Sequence, residues 1–291
     1  MTGLVLYFED EQACAMRFAK AAQLPAQPIA RHRFPDGELK LTLPTPLPAR
    51  VVLYRSLGDP NEKLMELMFV AQTARQLGAQ SITLVCPYLA YMRQDIAFHP
   101  GEVVSQRVLG QFLAKLFDSV ITVDPHLHRV ATLQEAVPVA RPVVVSGAPL
   151  LGDYVAAHVH NAFLLGPDGE SAQWVAQAAR AHGLDHAACQ KVRHGDTSVD
   201  IQLPDVNLAQ RHVVLVDDVA SSGRTLARAA QLARAAGALS VDVAVTHALF
   251  AQDALEVIHA AGVRHIWSTD CLPHASNVIE IADTLAQAYL S

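Results

Sequence analysis

The sequence predicts an α/β protein of two tandem domains, each a mostly parallel sheet flanked by helices. Short apolar runs rich in Val, Ile and Leu alternate with stretches whose apolar residues recur at helical spacing, from one end of the chain to the other. The alternation pauses at the proline-flanked segment 138–142 and then begins again. The 291 residues, 51% of them hydrophobic, suffice for two cores, each in a half of about 145 residues. The boundary is expected near 140–150, dividing the chain into 1–145 and 146–291, and the halves read as a diverged duplication.

In the first half, strands are expected at Leu4 to Phe8, Val51 to Tyr54, Ser81 to Cys86 and Val120 to Val123. Helices are expected at Glu11 to Ala22, Lys63 to Leu77 and Val103 to Leu116, with Asn61 as an N-cap before the second of these. In the second half the strands are Ala162 to Leu165, His212 to Val216, Val241 to Thr246 and His265 to Ser268. The helices lie near Ala172 to His182, Thr225 to Ala236, Asp253 to Ala261 and Ile279 to Leu290.

A net charge of -6 gives no broad basic footprint, which argues against nucleic acid and anionic membrane as partners and makes any anion site local. Cys14, Cys86, Cys189 and Cys271 are scattered, unlike a zinc site or a secreted disulfide framework, and read as small buried hydrophobes in a reducing compartment. The N-terminus lacks the pattern of a signal peptide, and no apolar run reaches the ~18 residues of a membrane span. A cytoplasmic location is the expectation.

Open parallel sheets bind ligands beyond the carboxyl ends of their strands, so the segments that follow strands carry the functional reading. The richest is His212 to Gly237, where a buried strand gives way to Asp217, Asp218, Val219, Ala220, Ser221, Ser222, Gly223, Arg224 and Thr225, then a helix. Small residues before a helix start present free N–H groups and the positive end of the dipole, which suits a phosphate. Two adjacent acids would repel that phosphate if they faced it, and are better employed accepting hydrogen bonds from hydroxyls beside it. A phosphorylated sugar with a cis-diol satisfies both halves, while a plain turn with solvated acids and a Ser/Thr cap is the simpler alternative.

Other segments carry similar double readings. Phe34-Pro35-Asp36-Gly37-Glu38 is turn chemistry before an alternating strand. Arg93, Gln94 and Asp95 end an aromatic-lined segment after the strand at 81–86, offering a fork of donors for phosphate oxygens and amide or carboxylate groups for a purine edge. Asp124-Pro125-His126-Leu127-His128 sets two histidines at i and i+2, either a surface pair or ligands of a transition metal. Asp168 follows a strand and precedes a helix, as a capping residue would. Lys191 and Arg193 sit at i and i+2 before a polar, Gly-containing stretch, as in an ordinary charged strand end.

Taken together, these segments resemble, in order and spacing, the ribose-phosphate diphosphokinase family, whose domains have the phosphoribosyltransferase-like fold. The resemblance runs from Phe34 to Thr225, and the string Pro87-Tyr88 to Tyr91, Arg93, Gln94, Asp95 matches the family pattern at every fixed position. It implies ATP-dependent transfer of a diphosphoryl group to ribose 5-phosphate, with Mg²⁺ as cofactor, an N-terminal ATP-site domain and a C-terminal ribose-5-phosphate domain. By resemblance, Phe34, Asp36, Glu38, Arg93, Gln94 and Asp95 are ATP-site candidates, and the hairpin at Phe34 implies a homo-oligomer with a shared site. His126 and Asp168 are implied at the metal, and Lys191 and Arg193 as catalytic cations over the triphosphate. Asp217, Asp218 and Ser221, Ser222, Gly223, Arg224 and Thr225 are implied at the sugar phosphate. The stretch after Asp95 resembles archaeal-type members more than the bacterial form with its allosteric loop. Arg224 departs from the family, whose loop ends in two glycines; a glycine there permits positive φ, which Arg matches only at a cost. A phosphoribosyltransferase and a non-catalytic regulatory paralogue are the alternatives.

Overall fold

The computed structural model describes residues 3–127, 129–194 and 198–291, with backbone alone at 191–194 and 198–200. Two compact units emerge, one of residues 1–145 together with 282–291, the other of 146–281.

The first unit runs β1 (Gly3–Tyr7), α1 (Gln12–Ala21), β2 (Ala26–Pro28), β3 (Ala30–Arg33), β4 (Leu39–Thr42), β5 (Arg50–Tyr54), α2 (Pro60–Gln76), β6 (Ser81–Cys86), α3 (Ser105–Leu116), β7 (Ser119–Val123), α4 (Leu133–Ala136) and β8 (Arg141–Val145). Its main sheet has the order β2-β1-β5-β6-β7-β8, all parallel, and β3 and β4 form a separate antiparallel hairpin. The second unit runs α5 (Ala148–His158), β9 (Ala162–Gly166), α6 (Ala172–Arg180), β10 (Asp185–Ala188), β11 (Gln190–His194), β12 (Ser198–Gln202), β13 (His212–Ala220), α7 (Arg224–Ala235), β14 (Ser240–Ala248), α8 (Ala254–Ala260), β15 (Val263–Thr269) and β16 (Asn277–Ile279). Its sheet has the order β10-β9-β13-β14-β15-β16, again parallel, with β11 and β12 as the separate hairpin. Strand order and hairpin position are the same in both units.

Strand residues alternate between faces, and both faces are covered. In the second unit Phe163, Leu165, Val213, Leu215, Val243 and Val245 pack with the apolar sides of α7 and α8. Their neighbours Leu164, Val214, Val216 and Ala244 pack with α5 and α6. That double burial is why these strands read as continuous apolar runs. In the first unit Leu4, Leu6, Val51, Leu53, Ile82 and Leu84 form one core with α2 and α3. The opposite face meets α1 and the C-terminal α9 (Ala282–Leu290). There the Phe18 ring lies 5.8 Å from Tyr54 and 6.1 Å from Tyr289, and Arg141 donates to the backbone oxygens of Ala288 and Tyr289. The last helix, expected with the second half, thus closes the first unit.

Two expectations about local structure are corrected. Strand β13 does not stop at Val216 but continues through both acids to Ala220, pairing along β14 as far as Ala248. Only Ser221 to Gly223 remain as loop. The N-cap position of α2 falls at Asp59, in the left-handed region at φ 48°, so Asn61 lies inside the helix, where its Oδ1 accepts from the Tyr91 hydroxyl.

Candidate functional site

The carboxyl ends of β9 and β13 bring Asp168, Asp217 and Asp218 together in the second unit. Asp168 and Asp218 are buried, and Asp217 is half-buried. Burial, then the charges of Asp218 and Asp168, push the Asp217 carboxyl well above the usual carboxylate range. Three acids grouped in this way suit a cation or hydroxyl donors beside the partners they already have. The turn after β9 is itself built around Asp168. Its Oδ1 accepts from the backbone N–H groups of Glu170, at 3.0 Å, and Ser171, at 3.2 Å, while the Ser171 hydroxyl donates to the Asp168 carbonyl at 2.6 Å. A side chain at Gly166 would put Cβ 2.4 Å from that hydroxyl, so glycine is required for the turn to close.

The loop after β13 is held by neighbouring backbone. The N–H groups of Leu249 and Phe250 donate to the Ala220 carbonyl, and that of Ala251 donates to the Ser221 carbonyl. Gly223 caps α7 at φ 71°, and a Cβ there would meet Ile258 Cδ1 at 2.8 Å and the Ala254 carbonyl at 3.0 Å. Here the chain needs glycine for both conformation and space. Arg224, by contrast, is the first residue of α7, and its guanidinium reaches Asp253 at 3.1 Å on the surface. The backbone asks for no second glycine. Ser221, Ser222 and Thr225 complete the loop and the first helical turn, at the positive end of a twelve-residue helix.

Lys191 and Arg193 lie on β11, opposite Ile201 and Val199 of β12. Two apart on a strand, they share a face; their side chains are outside the described residues.

In the first unit, Phe34, Asp36 and Glu38 form the tip of the β3–β4 hairpin. Phe34 is exposed and meets His32 edge-on at 4.8 Å, Gly37 turns the chain at φ 92°, and Asp36 accepts from the Glu38 N–H at 3.1 Å. Gly37, Glu38 and Leu39 border a cavity of about 670 Å³ with Asn61, Glu62, Met65 and Phe69 of α2. Arg93 is exposed after β6, and Gln94 donates to the Ile96 carbonyl at 3.0 Å. Asp95 is buried and binds the Arg129 guanidinium at 2.6 Å and its N–H at 3.2 Å. That pairing brings the segment after β7, with half-buried His126, against the segment after β6, as does the hydrogen bond from Val123 N–H to the Pro87 carbonyl. His128, the second histidine of the alternative transition-metal pair, lies outside the described residues.

Among the described residues no three His, Cys, Asp or Glu side chains converge to hold a metal unaided. All-oxygen donors at Asp168, Asp217 and Asp218 suit Mg²⁺, which keeps waters and takes substrate oxygens beside one or two carboxylates. The same residues are a poor match for a closed zinc site.

A second ion cluster lies at the equivalent strand ends of the first unit, and the sequence reading missed it. Arg55, 1% exposed, donates to Asp10 at 2.7 Å and, through Nη2, to Glu66 at 2.6 Å, with Glu11 at 3.5 Å. Burial alone would lower the Arg55 pKa, but Glu11, Glu66 and Asp10 raise it. The signal in the sequence was an Arg directly after an apolar strand, facing the acids of Glu9-Asp10-Glu11.

Parallel strands of this order, with carboxylates and a phosphate-type loop at their carboxyl ends, define a phosphoribosyltransferase-type unit. The family model of the phosphoribosyl transferase domain matches residues 150–270. Residues 4–116 match the model of the N-terminal domain of ribose phosphate pyrophosphokinase. Among curated relatives, the ribose-phosphate pyrophosphokinase of Methanopyrus kandleri is 32% identical over 98% of both chains. Ribose-phosphate pyrophosphokinase 1 of Archaeoglobus fulgidus is 33% identical over 94% of this chain and 95% of its own. The crystal structure of phosphoribosylpyrophosphate synthetase from Mycobacterium smegmatis shares the fold, with a TM-score of 0.83 and 22% identity over 98% of this chain and 97% of that one. The chain belongs to the ribose-phosphate pyrophosphokinase family.

Proposed function

We propose that the chain is an active ribose-phosphate diphosphokinase. The anomeric hydroxyl of ribose 5-phosphate attacks the β-phosphorus of ATP, the bond from that phosphorus to the α–β bridging oxygen breaks, AMP departs and the hydroxyl proton passes to solvent. The observation that carries this reading is the group of buried Asp168 and Asp218 with half-buried Asp217, beside a glycine-shaped loop at a helix start. The acids take the ribose hydroxyls, and Ser221, Ser222, Gly223, Thr225 and the α7 N-terminus take the 5-phosphate. Lys191 and Arg193 cover the migrating diphosphoryl group, whose spread negative charge makes alignment and charge stabilisation the main work of the site. Arg93, Gln94, Phe34, Asp36 and Glu38 hold the nucleotide, with Asp95 fixing the Arg93 segment through Arg129. Asp168 in the second unit, and His126 in the first through water, are each candidates for holding Mg²⁺, which when bound would neutralise charge on the triphosphate. The reading includes a homo-oligomer that shares its nucleotide site between copies, in the cytoplasm. Among the described residues no helix is long and apolar enough to cross a membrane.

The test is AMP release by the purified protein with Mg²⁺ and ATP, comparing ribose 5-phosphate with ribose 1-phosphate and ribose 1,5-bisphosphate. AMP and phosphoribosyl diphosphate in equal amounts, with ribose 5-phosphate alone, are expected. No AMP with any of the sugars, in a protein that binds ATP, would move the assignment to a regulatory paralogue.

A further inference from the structure

The hairpin that carries Phe34, Asp36 and Glu38 is not part of the main sheet, and two isolated strands are marginal in water. Its base is held by apolar packing, through Ile29, Leu41 and Leu43. Strand β3 itself is exposed along its whole length, so burial does not hold the tip. Ion pairs to α2 do. Arg31 Nη1 lies 2.5 Å from Glu66 Oε1, Arg31 Nη2 lies 3.2 Å from Asp10, and Arg33 pairs with Glu62.

The periods of the two elements match. Arg31 and Arg33, two apart on a strand, share a face at a spacing of about 6.6 Å. Glu62 and Glu66, four apart on a helix, share a face at a spacing of about 6 Å. Strand β3 therefore lies against the first turns of α2 in one register. Glu66 is wholly buried and also binds Arg55 through Nε at 2.8 Å, which ties the hairpin to the buried cluster at the end of β5. His32 points the other way, against Phe34.

We infer that Glu62 and Glu66, with Arg33 and Arg31, are positioning residues for the nucleotide, because they set where the hairpin tip stands over the cavity at Gly37 to Leu39. This rests on the reading above that the tip belongs to the nucleotide site.

The experiment compares the wild type with Glu62→Arg, Arg33→Glu and the double reversal, all at partly exposed positions where folding is retained, and with Glu66→Gln. ATP affinity is measured by calorimetry without sugar, and kcat and KM are measured for both substrates. Each single reversal should raise the Kd and KM for ATP about fivefold while kcat and the KM for ribose 5-phosphate stay within about twofold. The double reversal should return ATP affinity to within about twofold of wild type, the signature of a direct pair. Glu66→Gln should weaken ATP in the same way. Unchanged ATP affinity in the single reversals of an active enzyme, no recovery in the double, or equal losses in kcat and both KM values would overturn this inference alone. A wild-type chain that neither binds ATP nor releases AMP would overturn the functional reading and this inference with it.

Discussion

The two units share a strand order and a hairpin, yet the charges at their strand ends are opposite in arrangement. Leu53 of β5 pairs with Leu6 of β1, and two residues on stands Arg55; Leu215 of β13 pairs with Leu165 of β9, and two residues on stands Asp217. In the first unit the Arg meets Asp10, Glu11 and Glu66, so the site neutralises itself with protein groups. In the second the Asp meets two further acids, Asp218 and Asp168, whose charges push its carboxyl up. Breaking a cluster of the first kind leaves buried charges uncompensated, whereas neighbouring acids at a strand end suit a cation or hydroxyl ligand. On the proposed reading the same strand ends, after β1 and β5 in one unit and after β9 and β13 in the other, do different work: the first knit the fold beside the nucleotide residues, and the second take the sugar phosphate.

Substitutions at matched places probe this contrast. The greatest loss is expected at the second hairpin: Lys191→Ala should lower kcat by about 10² to 10³, the cost of removing one charge-stabilising donor, measured as AMP formation at saturating substrates. At the first hairpin, Phe34→Ala should act instead on the KM for ATP. In the buried cluster, Arg55→Met leaves Glu66 and Glu11 without their main cation and should cost about 3–5 kcal/mol of stability in urea unfolding.

Asp217→Asn should do the reverse. The raised Asp217 carboxyl holds its proton more tightly in the folded chain than in the unfolded one. Its stabilising contribution is therefore complete below the ordinary value of 3.8 and is lost as pH rises through the raised value. The ligand-free wild type should lose melting temperature across that window, and the Asn variant should show a flatter profile and a higher melting temperature at neutral pH while losing ribose 5-phosphate binding. A wild-type profile as flat as the variant's would contradict the crowding of the three acids. The smallest effect is expected at Arg224→Gly, where an exposed pair with Asp253 is lost, worth about 0.2–1 kcal/mol. A changed preference among pentose phosphates in that variant would show instead that Arg224 reaches the sugar.

Most of the central strands were legible in the sequence because both their faces are buried, which writes them as unbroken apolar runs. The edge strands β2 and β10 were not, since AQP and DHAA are short and carry no alternation. Helix α5 was hidden by its composition: APLLGDYVAAH buries only the stripe Ala148, Leu151, Gly152 and Val155, but apolar residues at its other positions leave it without a clean polar face. The extension of β13 through Asp217 and Asp218 runs against strand propensity and is supplied by its partner β14. Segments that follow strands pointed to the acids and the loop because local chemistry carries them. The clamps Arg33–Glu62, Arg31–Glu66 and Asp95–Arg129 join residues about thirty or more apart in sequence; their only trace is the alternation of Arg31 and Arg33 just before Phe34, and the four-residue step from Glu62 to Glu66.

The contrast between the units is tested most directly by titrating ribose 5-phosphate into isotopically labelled protein and following backbone amide resonances in both. The amides of Ser221 to Thr225 are expected to shift with a single affinity that Asp217→Asn weakens, while those of the matched turn of the first unit, Arg55 to Asp59, stay still. Shifts centred on Arg55 to Asp59, with Ser221 to Thr225 unmoved, would contradict the contrast.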